Sequence, residues 1–105
     1  MRENEYQARL KERISKMFPG CIIAKLDPND IQGIPDLLIL YGDAWAVLEV
    51  KKSQADANHP RPNQKYYVHL LNEMSFSRFI FPENEEDVLY ELQQTFNARG
   101  KSRAF

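Results

Sequence analysis

The 105-residue chain lacks several features that define large classes of protein. Cys21 is its single cysteine, so the chain can form neither an internal disulfide nor a cysteine cluster for zinc. No apolar run approaches the ~18 residues that span a bilayer, and the N-terminal sequence Met-Arg-Glu-Asn-Glu does not resemble a signal peptide. We therefore expect one small domain in a reducing, cytoplasmic setting, with no membrane partner.

The chain also lacks an excess of positive charge, because its 14 Lys and Arg residues face 15 Asp and Glu residues and leave a net charge of −1. This balance argues against a strongly cationic coat protein but allows a local basic patch. Residues 51–65 are locally basic, and residues 83–91 are acidic. Residues 98–105 predict a basic, flexible tail that follows a single domain over residues 1–97.

Hydrophobic spacing and turn residues predict an α/β fold in the order helix, three strands, helix, strand, helix. We expect a mixed β-sheet with an antiparallel hairpin at its centre, flanked by helices. The predicted helices cover residues 3–17, 63 to about 74, and a segment after Asn84 that buries Val88, Leu89, Leu92 and Phe96; the predicted strands cover residues 21–26, 36–41, 44–50 and 76–81.

Three details of this prediction concern the surroundings of the hairpin. The first hairpin strand is apolar on both faces, so we expect it to be covered on both sides. Residues 53–62 contain almost no large apolar side chain and end in two prolines, which favours an exposed loop. Asn63 is the expected cap of the next helix, whose predicted buried stripe consists of Tyr67, Leu70, Leu71 and Met74.

The hairpin is the most informative part of the sequence. Gly42-Asp43 separates two apolar, strand-forming runs and indicates a two-residue turn. In that register Asp36 lies opposite Glu49, and opposed side chains have Cβ atoms ~4.5–5.5 Å apart. Strand alternation places Lys51 on the same face as Glu49. The sequence therefore predicts two carboxylates and one ammonium group at one end of the hairpin.

Facing carboxylates repel each other unless a positive charge lies between them. A hard cation such as Mg²⁺ would meet that need, with Asp36, Glu49 and the main-chain carbonyl of Val50 as ligands. This set is typical of phosphodiester hydrolysis, in which a cation polarises the phosphate and activates water. Lys51 would orient that water or neutralise charge that develops on the phosphate.

A purely structural interpretation of the same residues is also open. Asp36 could be held by backbone hydrogen bonds at the start of a strand, while Glu49 and Lys51 could form a charge pair on a solvated edge. A Glu-x-Lys sequence alone is common and weakly informative. The metal site is favoured because an acid, a glycine-proline turn and the hairpin register agree.

The pattern Gly33-Ile34-Pro35-Asp36 followed by Glu49-Val50-Lys51 resembles the PD-(D/E)XK nuclease superfamily. It is most similar to the small stand-alone phage and bacterial members of the VRR-NUC (virus-type replication-repair nuclease) branch, which are similar to Holliday junction resolvases. The resemblance covers about residues 3–97. It implies a restriction-endonuclease-like fold and a Mg²⁺-dependent DNA endonuclease selective for branched DNA, with Mn²⁺ as a substitute. A phage-encoded member would act in the host cytoplasm.

The resemblance also implies two further site residues. In that branch a glutamine follows a proline-containing loop, and Gln64 matches it. Gln64 lies three residues before Tyr67 and so shares its predicted inward face, although its amide could simply bond the neighbouring backbone. The branch also has a glutamate on the first helix. Glu3 is favoured over Glu5, because it lies four residues before a glutamine and on the apolar stripe of the helix.

A nuclease must bind a polyanion, and the basic segment beside the site supplies four candidate side chains: Lys52, His59, Arg61 and Lys65. His59 could equally be exposed without a role. No helix is evident that would read base edges, so we expect recognition of backbone and shape. The small size and the resemblance together suggest a homodimer on DNA. Two alternatives remain open: a catalytically idle nucleic-acid-binding module, and an adaptor that contacts a replication or packaging protein.

Overall fold

The computed structural model describes residues 1–100 and has a mixed α/β fold, in which helices flank a four-stranded sheet. The helices are α1 (Glu3–Met17), α2 (Gln54–Ala57), α3 (Pro62–Met74) and α4 (Glu85–Gly100); the strands are β1 (Ile22–Lys25), β2 (Leu37–Tyr41), β3 (Ala44–Val50) and β4 (Ser77–Ile80). No helix among residues 1–100 is long and apolar enough to cross a membrane.

The sheet has the strand order β1-β2-β3-β4, with the β2–β3 hairpin at its centre as predicted. Strands β1, β2 and β3 are antiparallel neighbours, whereas β4 is parallel to β3. The hairpin has the predicted register, since Tyr41 pairs with Ala44 and Leu37 pairs with Leu48. Gly42 has a φ of 62°, which suits the first position of a two-residue hairpin turn.

Helices α1 and α4 cover one face of the sheet and form the main core with it. Tyr6, Leu10 and Ile14 are buried on α1, and the predicted stripe of α4 is buried throughout: Val88, Leu89, Leu92 and Phe96. The hydroxyl of Tyr6 also donates a hydrogen bond to Glu85 Oε1 at 2.8 Å. This contact joins the first turns of the two helices and fixes the end of α1 that carries Glu3.

The other face of the sheet is only partly covered, and the prediction that β2 is covered on both sides is wrong. Helix α3 packs against β3 and β4, so β3 is buried almost throughout. Leu40 on β2 remains 39% exposed and Ile22 on β1 remains 61% exposed on this face. The strand covered on both sides is therefore β3, the strand that carries Glu49.

The segment between β3 and α3 is also different from the predicted loop. It contains the short helix α2, whose cap is Ser53, since the hydroxyl of Ser53 accepts a hydrogen bond from the Asp56 N–H at 3.2 Å. Helix α3 begins at Pro62 rather than after Asn63, and its N-cap is Arg61. Proline is well tolerated at this first helical position because its missing N–H has no partner there in any helix.

One burial prediction on α3 and the predicted C-terminal boundary of α4 are wrong. The sequence predicts Met74 in the buried stripe of α3, but Met74 is 59% exposed, and Val68 is the buried residue of that helix. Helix α4 continues to Gly100, so the backbone of residues 98–100 belongs to the helix and not to a tail. The rest of the predicted tail, residues 101–105, lies outside the described residues.

The packing of α4 yields a direct stability test. Phe96 is 1% exposed and contacts the rings of Phe18 and Tyr41 at centroid distances of 5.0 and 5.6 Å. We expect Phe96→Ala to lower the free energy of unfolding by about 3–5 kcal/mol, because it leaves a cavity in the core. Tyr90→Ala on the same helix is the control, since Tyr90 is 63% exposed. Its effect in urea melts should be about 0.5 kcal/mol or less, and equal losses would contradict this packing.

Candidate active site

One cleft of about 700 Å³ brings together all five residues that the sequence suggested for catalysis: Glu3, Asp36, Glu49, Lys51 and Gln64. They come from separate elements. Asp36 precedes β2, Glu49 and Lys51 lie at the end of β3, Gln64 is in the first turn of α3, and Glu3 begins α1. The start of β2 and the end of β3, which lie at the same end of the hairpin, therefore meet the N-terminal ends of two helices.

The side chain of Asp36 is fixed by the hairpin partner. Its Oδ2 accepts a hydrogen bond from the Val50 N–H at 2.8 Å, and its main-chain carbonyl accepts one from the Leu26 N–H at 2.9 Å. This is the backbone anchoring that the structural interpretation expected. The same anchoring also orients the carboxylate beside Glu49, so it is compatible with a role in binding.

Glu49 is the most buried charged residue of the described chain, with 3% of its surface exposed. When Glu49 is ionised, its Oε1 has no hydrogen-bond donor within the part of the chain that the structure describes. Burial, followed by repulsion from Asp36 and by a hydrogen bond that protonated Glu49 donates to Asp36, raises the pKa of Glu49 to about 8, and Lys51 opposes this shift. A buried carboxylate oxygen without a partner is rare unless a ligand or ion is meant to satisfy it.

Lys51 and Gln64 form a network around the second oxygen of Glu49. Lys51 Nζ donates a hydrogen bond to Gln64 Oε1 at 3.0 Å and lies 3.8 Å from Glu49 Oε2. Gln64 Nε2 donates to the same Oε2 at 3.4 Å, a long and therefore weak bond. Gln64 Oε1 also accepts from the Arg61 N–H at 3.2 Å. Gln64 thus caps α3 and joins the acid to the ammonium group.

These groups fit a hard divalent cation. Two neighbouring carboxylates, one with a free buried oxygen, supply the ligand type that Mg²⁺ prefers. No group of three or more His, Cys, Asp or Glu side chains within residues 1–100 is arranged to hold a metal. A site with two carboxylates still suits Mg²⁺, which usually keeps several waters and binds substrate phosphate through its remaining positions.

The predicted role of Val50 stays a prediction. The N–H of Val50 is engaged by Asp36, and in a β-strand the carbonyl of a residue leaves on the same side as its N–H. The Val50 carbonyl is therefore directed toward the side of β3 on which Asp36 lies. This orientation is the one that a third, main-chain oxygen ligand would need.

The structure distinguishes between the two candidate glutamates of α1. Glu3 lines the cleft, and its pKa is raised by partial burial and by repulsion from Asp36. Glu5 instead pairs with Arg2 at 3.3 Å on the exposed side of the helix. Of the two, the fold brings Glu3 to the carboxylates.

The four predicted nucleic-acid contacts do not all line the cleft. Arg61 lines the cleft. Lys52, His59 and Lys65 are exposed outside it, and Lys52 lies 3.9 Å from Asp56. If all four residues contact a nucleic acid, only Arg61 does so at the cleft itself.

Part of the cleft lining is not predicted by the sequence reasoning. It comes from the segment between β1 and β2 and from the start of α3, and it includes Pro28, Asn29, Gln32 and Asn63. The sequence Asp27-Pro28-Asn29-Asp30 indicates only a turn at this part of the cleft lining. In the structure the Asn29 N–H donates a hydrogen bond to Asp27 Oδ1 at 2.9 Å, as in an Asx turn. Such a turn predicts local chain reversal, but it does not reveal which distant helix the loop will face.

Comparison of the chain with models of protein families, with curated proteins and with solved structures finds no match. The resemblance to PD-(D/E)XK nucleases therefore rests on residues of this chain alone. Its support has to come from the positions of these residues in the cleft.

The buried acid predicts an unusual pH dependence of stability. Because the pKa of Glu49 rises from 4.5 to about 8 on folding, the folded state binds more protons than the unfolded state in this interval. The free energy of unfolding of the metal-free protein should therefore fall as pH rises from about 4.5 to about 8, and the loss should be complete above that range. Urea melts across this interval measure the slope.

Glu49→Gln should remove most of that slope, because glutamine keeps the size of the side chain and does not titrate. Glu5→Gln is the matched control and should retain the wild-type slope, since Glu5 lies outside the cleft. A wild-type stability that rises over the same interval would contradict the burial of a protonated Glu49.

Proposed function

We propose that this protein is a metal-dependent endonuclease that hydrolyses phosphodiester bonds in DNA. The observation that carries the proposal is the buried, unpartnered oxygen of Glu49 next to Asp36, with Lys51 Nζ in the same cleft. A fold gains no stability from this arrangement by itself, because desolvating a carboxylate beside another acid is costly. A cation and a phosphate would turn it into a favourable arrangement.

The proposed cation ligands are Asp36, Glu49 and the Val50 carbonyl, with Mg²⁺ as the working ion and Mn²⁺ as a substitute. When bound, the cation would polarise the scissile phosphate and lower the pKa of a coordinated water. Asp36 enters this role with its orientation already fixed by the Val50 N–H. Glu49 would give up its proton on binding, since an adjacent positive charge favours the ionised carboxylate.

Lys51 is proposed to stabilise negative charge on the phosphate or to orient the attacking water. Its Nζ lies on the face of the sheet that carries Glu49 and is held by the Gln64 carbonyl oxygen at 3.0 Å. Gln64 thereby positions the lysine and one oxygen of the acid together. Glu3 lies at the rim of the same cleft and is proposed to bind water of the metal shell or the substrate.

The proposed fold type is restriction-endonuclease-like. What supports it is the position of Asp36 and Glu49 at the same end of a central antiparallel hairpin, with a helix on each face of the sheet. The element order agrees with the expected one apart from the additional helix α2. The short β4 strand, parallel to β3, follows the helix that supplies Gln64.

The proposed substrate is branched DNA recognised by shape rather than by sequence. Arg61 is the cationic side chain beside Lys51 in the described part of the cleft, and a backbone-binding protein would take further contacts from the exposed Lys52 and Lys65. A homodimer would set two clefts at a fixed spacing. The uncovered sheet face around Ile22 and Leu40 supports this part of the proposal.

Cleavage assays test the function. Supercoiled plasmid, linear duplex, single strand, flap and four-way junction would each be incubated with Mg²⁺, Mn²⁺ or EDTA. We expect metal-dependent cutting that Lys51→Ala lowers by roughly 100-fold or more, because a charge-stabilising group is lost at the phosphate. Lys11→Ala, an exposed lysine of α1, is the matched control and should cut like wild type.

The outcomes separate the candidate functions. Equal cutting by Lys51→Ala and Lys11→Ala would remove Lys51 from the site. Binding to DNA without cutting on any substrate would favour the idle binding module. The absence of both binding and cutting would favour an adaptor that contacts another protein.

A further inference from the structure

Gly33 begins the Gly33–Asp36 motif and has no role in the proposed chemistry. It has a φ of +91°, and its Cα faces the backbone of Asn63 in the first turn of α3. A Cβ built at this position would lie 2.7 Å from the Asn63 carbonyl carbon and 2.9 Å from the carbonyl oxygen, and closer still to the Asn63 Cβ. Real side chains are not found at such distances, so the loop and the helix approach each other because residue 33 has no side chain.

This close approach lies one residue away from the network of the site. Asn63 is followed by Gln64, whose amide contacts both Lys51 and Glu49. On the loop side, Gly33 precedes Asp36 by three residues, and Pro35 between them is buried. The approach of Gly33 to Asn63 therefore links the segment that carries Asp36 to the helix turn that carries Gln64.

We infer that Gly33 is a positioning residue of the cleft: the missing side chain allows the first turn of α3 to come close enough for Gln64 to join Glu49 and Lys51. A larger residue would push that turn outward. The bond between Gln64 Nε2 and Glu49 is already long at 3.4 Å, so a small displacement breaks it. The effect expected on cleavage rests on the proposed nuclease function, whereas the effect on Gln64 does not.

The chain provides matched controls that separate this contact from backbone strain. Gly20 has a φ of +88° and Gly42 a φ of +62°, and neither has an atom within 4 Å of a built Cβ. Alanine at Gly20 would adopt nearly the same positive φ as alanine at Gly33, but it meets no neighbour within 4 Å. Any effect of Gly33→Ala beyond that of Gly20→Ala therefore comes from the contact with Asn63.

The first readout is the NMR signal of the Gln64 side-chain amide in the metal-free protein. We expect Gly33→Ala to shift this signal and the backbone signals of the first turn of α3. Gly20→Ala should leave both sets of signals at their wild-type positions. An unchanged Gln64 signal in folded Gly33→Ala would overturn the inference.

A second variant covers the case in which Gly33→Ala does not fold. Asn63→Gly removes the nearest atom that the new Cβ meets. Combined with Gly33→Ala, it should recover only part of the lost midpoint of urea unfolding, because the Asn63 carbonyl carbon and oxygen still lie 2.7 and 2.9 Å from the new Cβ. In the wild-type background it should lower the midpoint or leave it unchanged, because glycine weakens a helix. No rise in the double variant would overturn the inference, since the two positions would then act independently.

Cleavage provides the third readout. Gly33→Ala should lower kcat by roughly 10- to 100-fold, with a smaller change in KM, because the reacting groups are displaced while the rest of the cleft remains. Gly20→Ala and Gly42→Ala should retain the wild-type kcat. If the wild-type protein cuts no DNA, the nuclease proposal fails, and the Gln64 signal and the double variant still decide whether Gly33 positions the cleft. Wild-type kcat in Gly33→Ala would contradict the positioning role.

Discussion

The Glu49 carboxylate is buried at the end of β3 beside the carboxylate of Asp36, and two like charges there destabilise the fold unless other groups oppose them. In the metal-free protein the opposition comes from a proton on Glu49, from Lys51 and from the amide of Gln64. The elements around the cleft hold Asp36, Lys51 and Gln64 close to the buried carboxyl group of Glu49.

Three elements supply those contacts through different parts of the backbone. The hairpin register places Asp36 beside the Val50 N–H. The parallel strand β4 holds the backbone of Lys51, whose N–H donates to the Ile80 carbonyl at 2.9 Å. The first turn of α3 brings Gln64 over the end of β3. The anchors of Asp36 and Lys51 involve the backbone, whereas Gln64 adds side-chain bonds to Lys51 and Glu49. The reactive side chains are therefore positioned both by rigid elements and by one another.

The part of the site that depends on local rules could be predicted from the sequence. A two-residue turn fixes the hairpin register, so Gly42-Asp43 was sufficient to set Asp36 beside Glu49. The sequence places the stripe of α3 on Tyr67, Leu70, Leu71 and Met74, whereas packing on β3 and β4 buries Val68, which no apolar repeat singles out. The approach of Gly33 to Asn63 joins residues far apart in the chain, and no local pattern reveals it.

Proton-linked metal binding tests the central claim most directly. Mg²⁺ would be titrated calorimetrically at neutral pH in buffers of different ionisation enthalpy, which measures the protons released on binding. Because the pKa of Glu49 is raised to about 8, the wild-type protein should bind Mg²⁺ and release close to one proton. Glu49→Gln should abolish this release and weaken binding, while Glu5→Gln should retain both. Binding without proton release, or binding that Glu49→Gln leaves unchanged, would contradict a cation at the buried acid.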